Sequence, residues 1–157
     1  MNFGIESMTE ESAIRTLKWK YREPYDFYNC IFNEKEINER LDGSYKVVVD
    51  EYSEEVFGFF CLGESARIPA GHQHGVYDEE CVDLGVGMKP EKTGKGHGFK
   101  FMSFIVEYIR EHYGKVCIRL SVAVFNERAI RLYKNSGFEL RSSFLTDTSS
   151  FITMVRE

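Results

Sequence analysis

Three glycines at alternate positions, Gly94, Gly96 and Gly98, with Lys95 and His97 between them, form the stretch whose residue types could most directly do chemistry. An apolar run begins immediately after, at Phe99. Residues without a Cβ let the backbone approach a ligand and take φ > 0, and the amides at a helix start point outward with partial positive charge. That combination suits a phosphate or pyrophosphate; a tight strand-to-helix turn without a ligand is the other reading. Two well-known phosphate loops do not fit the letters. A Walker A loop requires Lys-Ser or Lys-Thr after its last glycine, and a dinucleotide fingerprint requires Gly-x-Gly-x-x-Gly. Here Lys95 is followed by Gly96, and Gly98 by Phe99, Lys100 and Phe101.

Other candidate groups are sparser. His72-Gln73-His74 could present two imidazoles on one face only if extended, and the acids near enough to complete a ligand set are Asp78, Glu79 and Glu80. A solvated or substrate-facing loop, and no metal, is the expectation. Cys30, Cys61, Cys81 and Cys117 show no Cys-x-x-Cys spacing, and the last three lie in strand-like apolar runs. They read as buried free thiols in a reducing cytoplasm.

The elements that position these residues follow from periodicity. Val82, Leu84, Val86 and Met88 alternate with Asp83, Gly85 and Gly87, a strand that Pro90 closes. The glycine loop then opens a helix with Phe101, Met102, Ile105, Tyr108 and Ile109 on its apolar face, ending near Gly114. A strand is expected over 116–124, a helix over 127–136 with Gly137 as its left-handed C-terminal cap, and a hairpin of 138–145 with 151–155. Upstream, a strand over 2–6 leads to Ser7-Met8-Thr9-Glu10, which has the spacing of a capping box, and to a helix with Ala13, Ile14, Leu17 and Tyr21 on one stripe, ended by Pro24. Tyr25, Phe27 and Tyr28 crowd together as a wall of core packing. Asn33 caps a short helix to Leu41, strands over 45–50 and 56–62 form a hairpin, and Pro69, Gly71 and Gly75 break the polar connection 64–79. Alternating strands and helices predict a mixed α/β layered domain.

The 157 residues suit a single domain spanning 1–157, since no Pro/Gly/Ser-rich linker divides them. The net charge of −5, with no Lys/Arg run, argues against nucleic acid and favours a cationic or neutral partner. The first 20 residues hold no apolar segment of signal length and carry Glu6, Glu10 and Glu11, so a cytoplasmic location without membrane spanning is expected.

Two blocks carry a family resemblance. The first is Thr93-Gly94-Lys95-Gly96-His97-Gly98; the second runs from Leu120 through Asn126, Ala129, Ile130, Leu132 and Tyr133 to Gly137-Phe138. In this order and at this distance they resemble the GNAT superfamily of acyl-CoA-dependent N-acetyltransferases. That family's pyrophosphate loop reads Gln/Arg-x-x-Gly-x-Gly/Ala, and its last helix reads Asn-x-x-Ala-Ile-x-Leu-Tyr before a Gly-Phe exit. Thr93 departs from the long polar residue at the first loop position.

The resemblance implies a mixed, mostly antiparallel central sheet flanked by helices, acetyl-CoA as co-substrate, and acetyl transfer to a primary amine of a small molecule or peptide by direct attack on the thioester. A non-catalytic acyl-CoA-binding module of the same fold is the alternative. Backbone groups of Val86, Gly87 and Met88 would hold the pantetheine and thioester, and amides of Gly94, Lys95, Gly96, His97, Gly98 and Phe99 the pyrophosphate. Asn126 would meet the cofactor, and is equally suited to cap a helix. Tyr133 would protonate the departing sulfur, with core packing beside Ala129 and Ile130 as its other reading. Some members carry a glutamate on the strand before the loop; the acids nearby are Glu80 and Asp83, and Asp83 is the candidate base, with a solvated strand residue as the alternative. The ribosomal-alanine branch carries its glutamate where this chain has Ser121, which argues against that branch. Acceptor contacts would come from 21–32 and 67–77, so the aromatics near Tyr25 could also line a cleft. The acceptor amine itself has no readable code. The terminal hairpin and first helix offer edges that could pair two copies into a homodimer.

Overall fold

A computed structural model describes residues 2–157, and the chain divides into two compact units. One comprises the residues up to Cys61 together with Val86–His97; the other comprises Leu62–Gly85 and Gly98–Glu157.

In the first unit, β1 (Phe3–Ser7) is followed by α1 (Glu10–Leu17), α2 (Glu34–Arg40), β2 (Tyr45–Asp50) and β3 (Glu55–Leu62). β1 pairs antiparallel with β2, and β2 with β3, as the hairpin pattern predicts. Val47, Val48, Val49, Phe57 and Phe60 supply the buried side chains, β-branched and aromatic residues that fill a pleated surface well. The capping box lies later than the Ser7-Glu10 spacing suggests. Thr9 is the N-cap: its hydroxyl accepts from the Ser12 amide, and Ser12 Oγ accepts from the Thr9 amide. α1 also stops at Leu17, short of Pro24, so Tyr21 is not on its stripe. Two longer-range partners hold Tyr21 instead, its amide donating to Asn29 Oδ1 (2.7 Å) and its phenol to the Met88 carbonyl (2.7 Å). Tyr25–Tyr28 forms a 3-10 turn with no buried residue and Phe27 44% exposed, so these rings are not the core wall expected. Asn33 caps α2 as predicted, accepting from the Glu36 amide.

β4 (Val82–Met88) begins in the second unit and ends in the first. The second unit continues with α3 (Gly98–Tyr113), β5 (Ile118–Ala123), α4 (Glu127–Asn135), β6 (Glu139–Leu145) and β7 (Ser150–Arg156). β4 runs parallel to β5, with Val82, Asp83 and Leu84 opposite Ile118, Arg119 and Leu120. β7 inserts antiparallel between β5 and β6, and the β6–β7 register shifts between Leu140 and Ser142, skipping Arg141. α3 buries Phe101, Met102, Ile105, Val106 and Ile109, while Tyr108 lies off that stripe, stacked on His112. Gly137 takes φ = 93°, the left-handed cap expected after α4.

Among the described residues, seven strands are ordered β1-β2-β3-β4-β5-β7-β6, the mixed α/β, mostly antiparallel sheet that the resemblance implied. The connection before β4 is more ordered than its glycines and proline suggest. It forms 3-10 turns at Gly63–Ala66 and Pro69–His74 and buries Val76 and Tyr77. Of the four cysteines expected to be buried, only Cys61 is; Cys30, Cys81 and Cys117 are partly exposed, the last two because each lies just ahead of its strand. No helix among the described residues is long and apolar enough to cross a membrane.

Candidate active site

In the first unit, the end of β4 is a backbone surface built by its neighbours. The Lys89 amide donates to the Phe57 carbonyl (2.8 Å), and Pro90–Lys92 makes a 3-10 turn. Thr93 Oγ1 donates to the Pro90 carbonyl (2.7 Å), so the residue that departs from the family pattern uses its hydroxyl to close this turn. Gly94 and Gly96 then take φ of 70° and 83°, a region that side-chain-bearing residues enter only with strain. At Gly96 a Cβ would meet nothing within 4 Å, so the loop is open on that side. His97 sets its ring edge-on to Phe57 (5.8 Å).

Gly87 is glycine for a different reason. A Cβ there would lie 2.4 Å from the Phe59 ring, which covers the strand at this point. Phe59 is itself hemmed in by Trp19 (5.9 Å), Tyr45 (6.0 Å) and the Arg40 guanidinium, 4.5 Å from its ring centre. Arg40, only 6% exposed, donates to Thr16 Oγ1 (2.9 Å) and Cys30 Sγ (3.4 Å) and lies 5.3 Å from the Tyr45 ring. These partners are a hydroxyl, a thiol and two rings, none of them a carboxylate. Burial, with a smaller push from Cys30, holds the Tyr21 phenol well above its ordinary value, so Tyr21 stays a proton donor to Met88. Tyr21, Arg40 and Phe59 are the residues that sequence reasoning missed here. The available signal was the pair Gly85 and Gly87, since glycine inside a strand marks close approach of another group.

In the second unit, Asp83 is 2% exposed and receives three N–H donors: Arg119 Nε (2.6 Å), Arg119 Nη2 (2.9 Å) and Arg67 Nε (2.8 Å). Arg119, 1% exposed, also donates to the Glu79 carbonyl (2.9 Å). Both guanidiniums lie about the Tyr77 ring, at 5.0 and 5.3 Å from its centre. The Tyr77 hydroxyl accepts from the Ile68 amide (2.8 Å) and hydrogen-bonds Ser121 Oγ (2.7 Å). Asp83 is thus not a solvated strand residue, because the parallel pairing sets it directly beside Arg119. A buried charge is tolerated when it is paired and fully hydrogen-bonded, and this one is. The network binds the connection before β4 to the sheet through Arg67 and Tyr77.

Asn126 caps α4, its Oδ1 accepting from the Ala129 amide (3.1 Å). Tyr133 is 8% exposed, with its ring 6.2 Å from that of Phe138. Gly98, the first residue of α3, presses against α4: a Cβ would meet Leu132 at 2.9 Å. Phe99 is largely exposed. The two loop histidines turn to different partners, His72 to Glu64 (2.8 Å) and His74 to the Phe144 ring (5.9 Å). The expected cofactor residues therefore fall in two groups. Val86, Gly87, Met88, Gly94, Lys95, Gly96 and His97 belong to the first unit, and Gly98, Phe99 and Asn126 to the second, which also holds Asp83 and Tyr133.

Known proteins share this fold. The chain is similar in structure to the aminoglycoside acetyltransferase AAC(6')-Ib in complex with coenzyme A, at 18% identity and a TM-score of 0.73, covering 99% of this chain and 94% of that one. It is likewise similar to a spermidine N-acetyltransferase chimera of SpeG from Vibrio cholerae and hSSAT, at 21% identity and a TM-score of 0.70, covering 98% and 94%. A sequence search against curated proteins finds no match. The sequence profile of the acetyltransferase (GNAT) family matches residues 8–138, a span that takes in the glycine loop, Asn126 and Tyr133, and on that match the chain belongs to the acetyltransferase (GNAT) family.

Proposed function

We propose that this protein transfers the acetyl group of acetyl-CoA to a primary amine of a small molecule or peptide by direct attack on the thioester. The observation that carries the reading is the loop after β4, where Gly94 and Gly96 both take positive φ, Gly96 is open to solvent, and the chain runs directly into the N-terminus of α3. Backbone amides without a side chain in front of them, at the positive end of a 16-residue helix, suit a diphosphate.

Acetyl-CoA, when bound, supplies an activated acetyl thioester. Amides of Gly94 to Phe99 hold its diphosphate, and backbone groups of Val86, Gly87 and Met88 hold the arm that carries the thioester. Tyr21, bonded to the Met88 carbonyl, and Phe59, seated over Gly87, fix that strand end. The amine nitrogen bonds to the acetyl carbon as the carbon–sulfur bond breaks. Tyr133 gives its phenol proton to the leaving sulfur, and the amine proton passes to water. Asp83, its oxygens committed to Arg119 and Arg67, positions β4 and the preceding connection; it is not the group that takes the amine proton. The net charge of −5 favours a cationic acceptor, and the aminoglycoside and spermidine named for the structural neighbours both carry amines.

The test is incubation with acetyl-CoA and a panel of mono- and polyamines, following free thiol; amine-dependent release is expected. Gly96→Glu should abolish coenzyme A binding by calorimetry while circular dichroism shows a folded chain. Gly96→Ala imposes the same backbone strain, about 1–2 kcal/mol, without the bulk or charge, and should bind better than Gly96→Glu. Unchanged affinity in a folded Gly96→Glu variant removes the loop from the site.

A further inference from the structure

At the opposite end of β4 from Met88, the second unit gathers a different set of ligand atoms. The sulfurs of Cys81 and Cys117 and a carboxylate oxygen of Glu79 all lie within 4.8 Å of one another. The backbone creates this juxtaposition. Cys81 directly precedes β4 and Cys117 directly precedes β5, the first paired residues are Val82 and Ile118, and the Val82 amide donates to the Cys117 carbonyl (2.7 Å). Parallel pairing therefore sets the two thiols side by side.

We propose that Cys81, Cys117 and Glu79 form a binding site for a thiophilic divalent cation such as zinc, with a fourth coordination position left to solvent. Two thiolates and a carboxylate match zinc's preference for sulfur with nitrogen or oxygen, and three protein ligands with one open position is a familiar zinc arrangement. A tetrahedral zinc bonded at about 2.3 Å to each sulfur needs them roughly 3.8 Å apart, a spacing compatible with atoms that lie within 4.8 Å of one another. Both cysteines are partly exposed, and an open cavity of about 560 Å³ lined by Arg110, Gly114, Lys115, Val116, Cys117 and Glu157 reaches Cys117.

The surroundings are arranged as metal ligands require. Arg141 ion-pairs with one oxygen of Glu79 and also holds Glu157 (3.0 Å), so the Glu79 carboxylate is oriented and its other oxygen remains available. Outer partners of this kind orient a ligating carboxylate. Arg119 is paired with Asp83, and Arg141 with Glu157 as well as Glu79, so neither faces a cation as a free charge. None of the three ligands belongs to the residues assigned to acetyl transfer, so the two proposals stand or fall separately.

Titrating the reduced full-length chain with cadmium, then with competing zinc, tests the site. The expected result is a thiolate-to-cadmium charge-transfer band that saturates at a single equivalent, proton release from both thiols, and loss of the band when zinc is added. Cys81→Ser and Cys117→Ser each remove the band, Cys30→Ser leaves it, and Glu79→Gln weakens cadmium binding about tenfold or more. Zinc should also raise the melting temperature of the unsubstituted chain and not that of Cys117→Ser, which separates binding from a folding defect. Absence of a band, or a band that persists in the Cys81→Ser/Cys117→Ser double variant, overturns the proposal.

Discussion

At its first residues β4 carries Asp83, sealed from solvent and held by three guanidinium N–H groups; at its last it carries Gly87 and Met88, where rings and a phenol press on bare backbone. Charge and side-chain hydrogen bonds are saturated at the first end, which suits it to hold the strand and the 63–81 connection in place. Side chains are stripped away at the second, which suits it to present amides and carbonyls to a bound molecule. The contrast teaches that an acidic residue on a strand of the cofactor half is not a base by position alone. What decides is whether its oxygens already have partners.

The comparison breaks first at Asp83. Asp83→Ala leaves Arg119 buried without its counter-ion and should cost about 3–5 kcal/mol of stability by chemical denaturation. A stably folded Asp83→Ala chain that had lost turnover would instead make Asp83 the base. Tyr133→Phe sharpens the contrast from the catalytic side. Turnover should fall by about 10²-fold, equivalent to about 2.7 kcal/mol in the barrier, mostly in kcat and with little change in melting temperature. Equal turnover would make Tyr133 a packing residue. The third change is Gly87→Ala, which drives a methyl into the Phe59 ring and should cost about 1–3 kcal/mol. Adding Phe59→Leu should recover part of that loss; if it does not, Phe59 is not what demands a glycine at that position.

Much of this was legible in the sequence because it is local. Alternation over Val82–Met88, Asn33 and Asn126 as caps, and Gly137 as a left-handed terminator each depend on a few neighbouring residues, and the structure has all of them. The positive φ at Gly94 and Gly96 likewise follows the glycine spacing. What was hidden depends on partners far along the chain. Tyr21 looks like the last member of a helical stripe until Met88, 67 residues away, claims its phenol. Asp83 reads as a candidate base or a solvated strand residue until register places it beside Arg119, 36 residues on. Arg40 lies in the last turn of a short helix, and its burial between Thr16, Cys30 and two rings follows from tertiary packing alone.

The register shift at Arg141 bears on how readily another chain could add to the edge strand β6. β6 ends the strand order, and an outermost strand offers its unpaired backbone as a template for another chain. Leu140 and Leu145, both well exposed, would make a flat ribbon at this margin adhesive. The irregularity between Leu140 and Ser142 interrupts the even spacing that a docking strand would need, and it carries a charged residue at the interruption. Arg141, bound to Glu79 and Glu157, ties that kink to the body of the second unit, so the same side chain that orients a carboxylate also blunts the margin against fibre-like stacking.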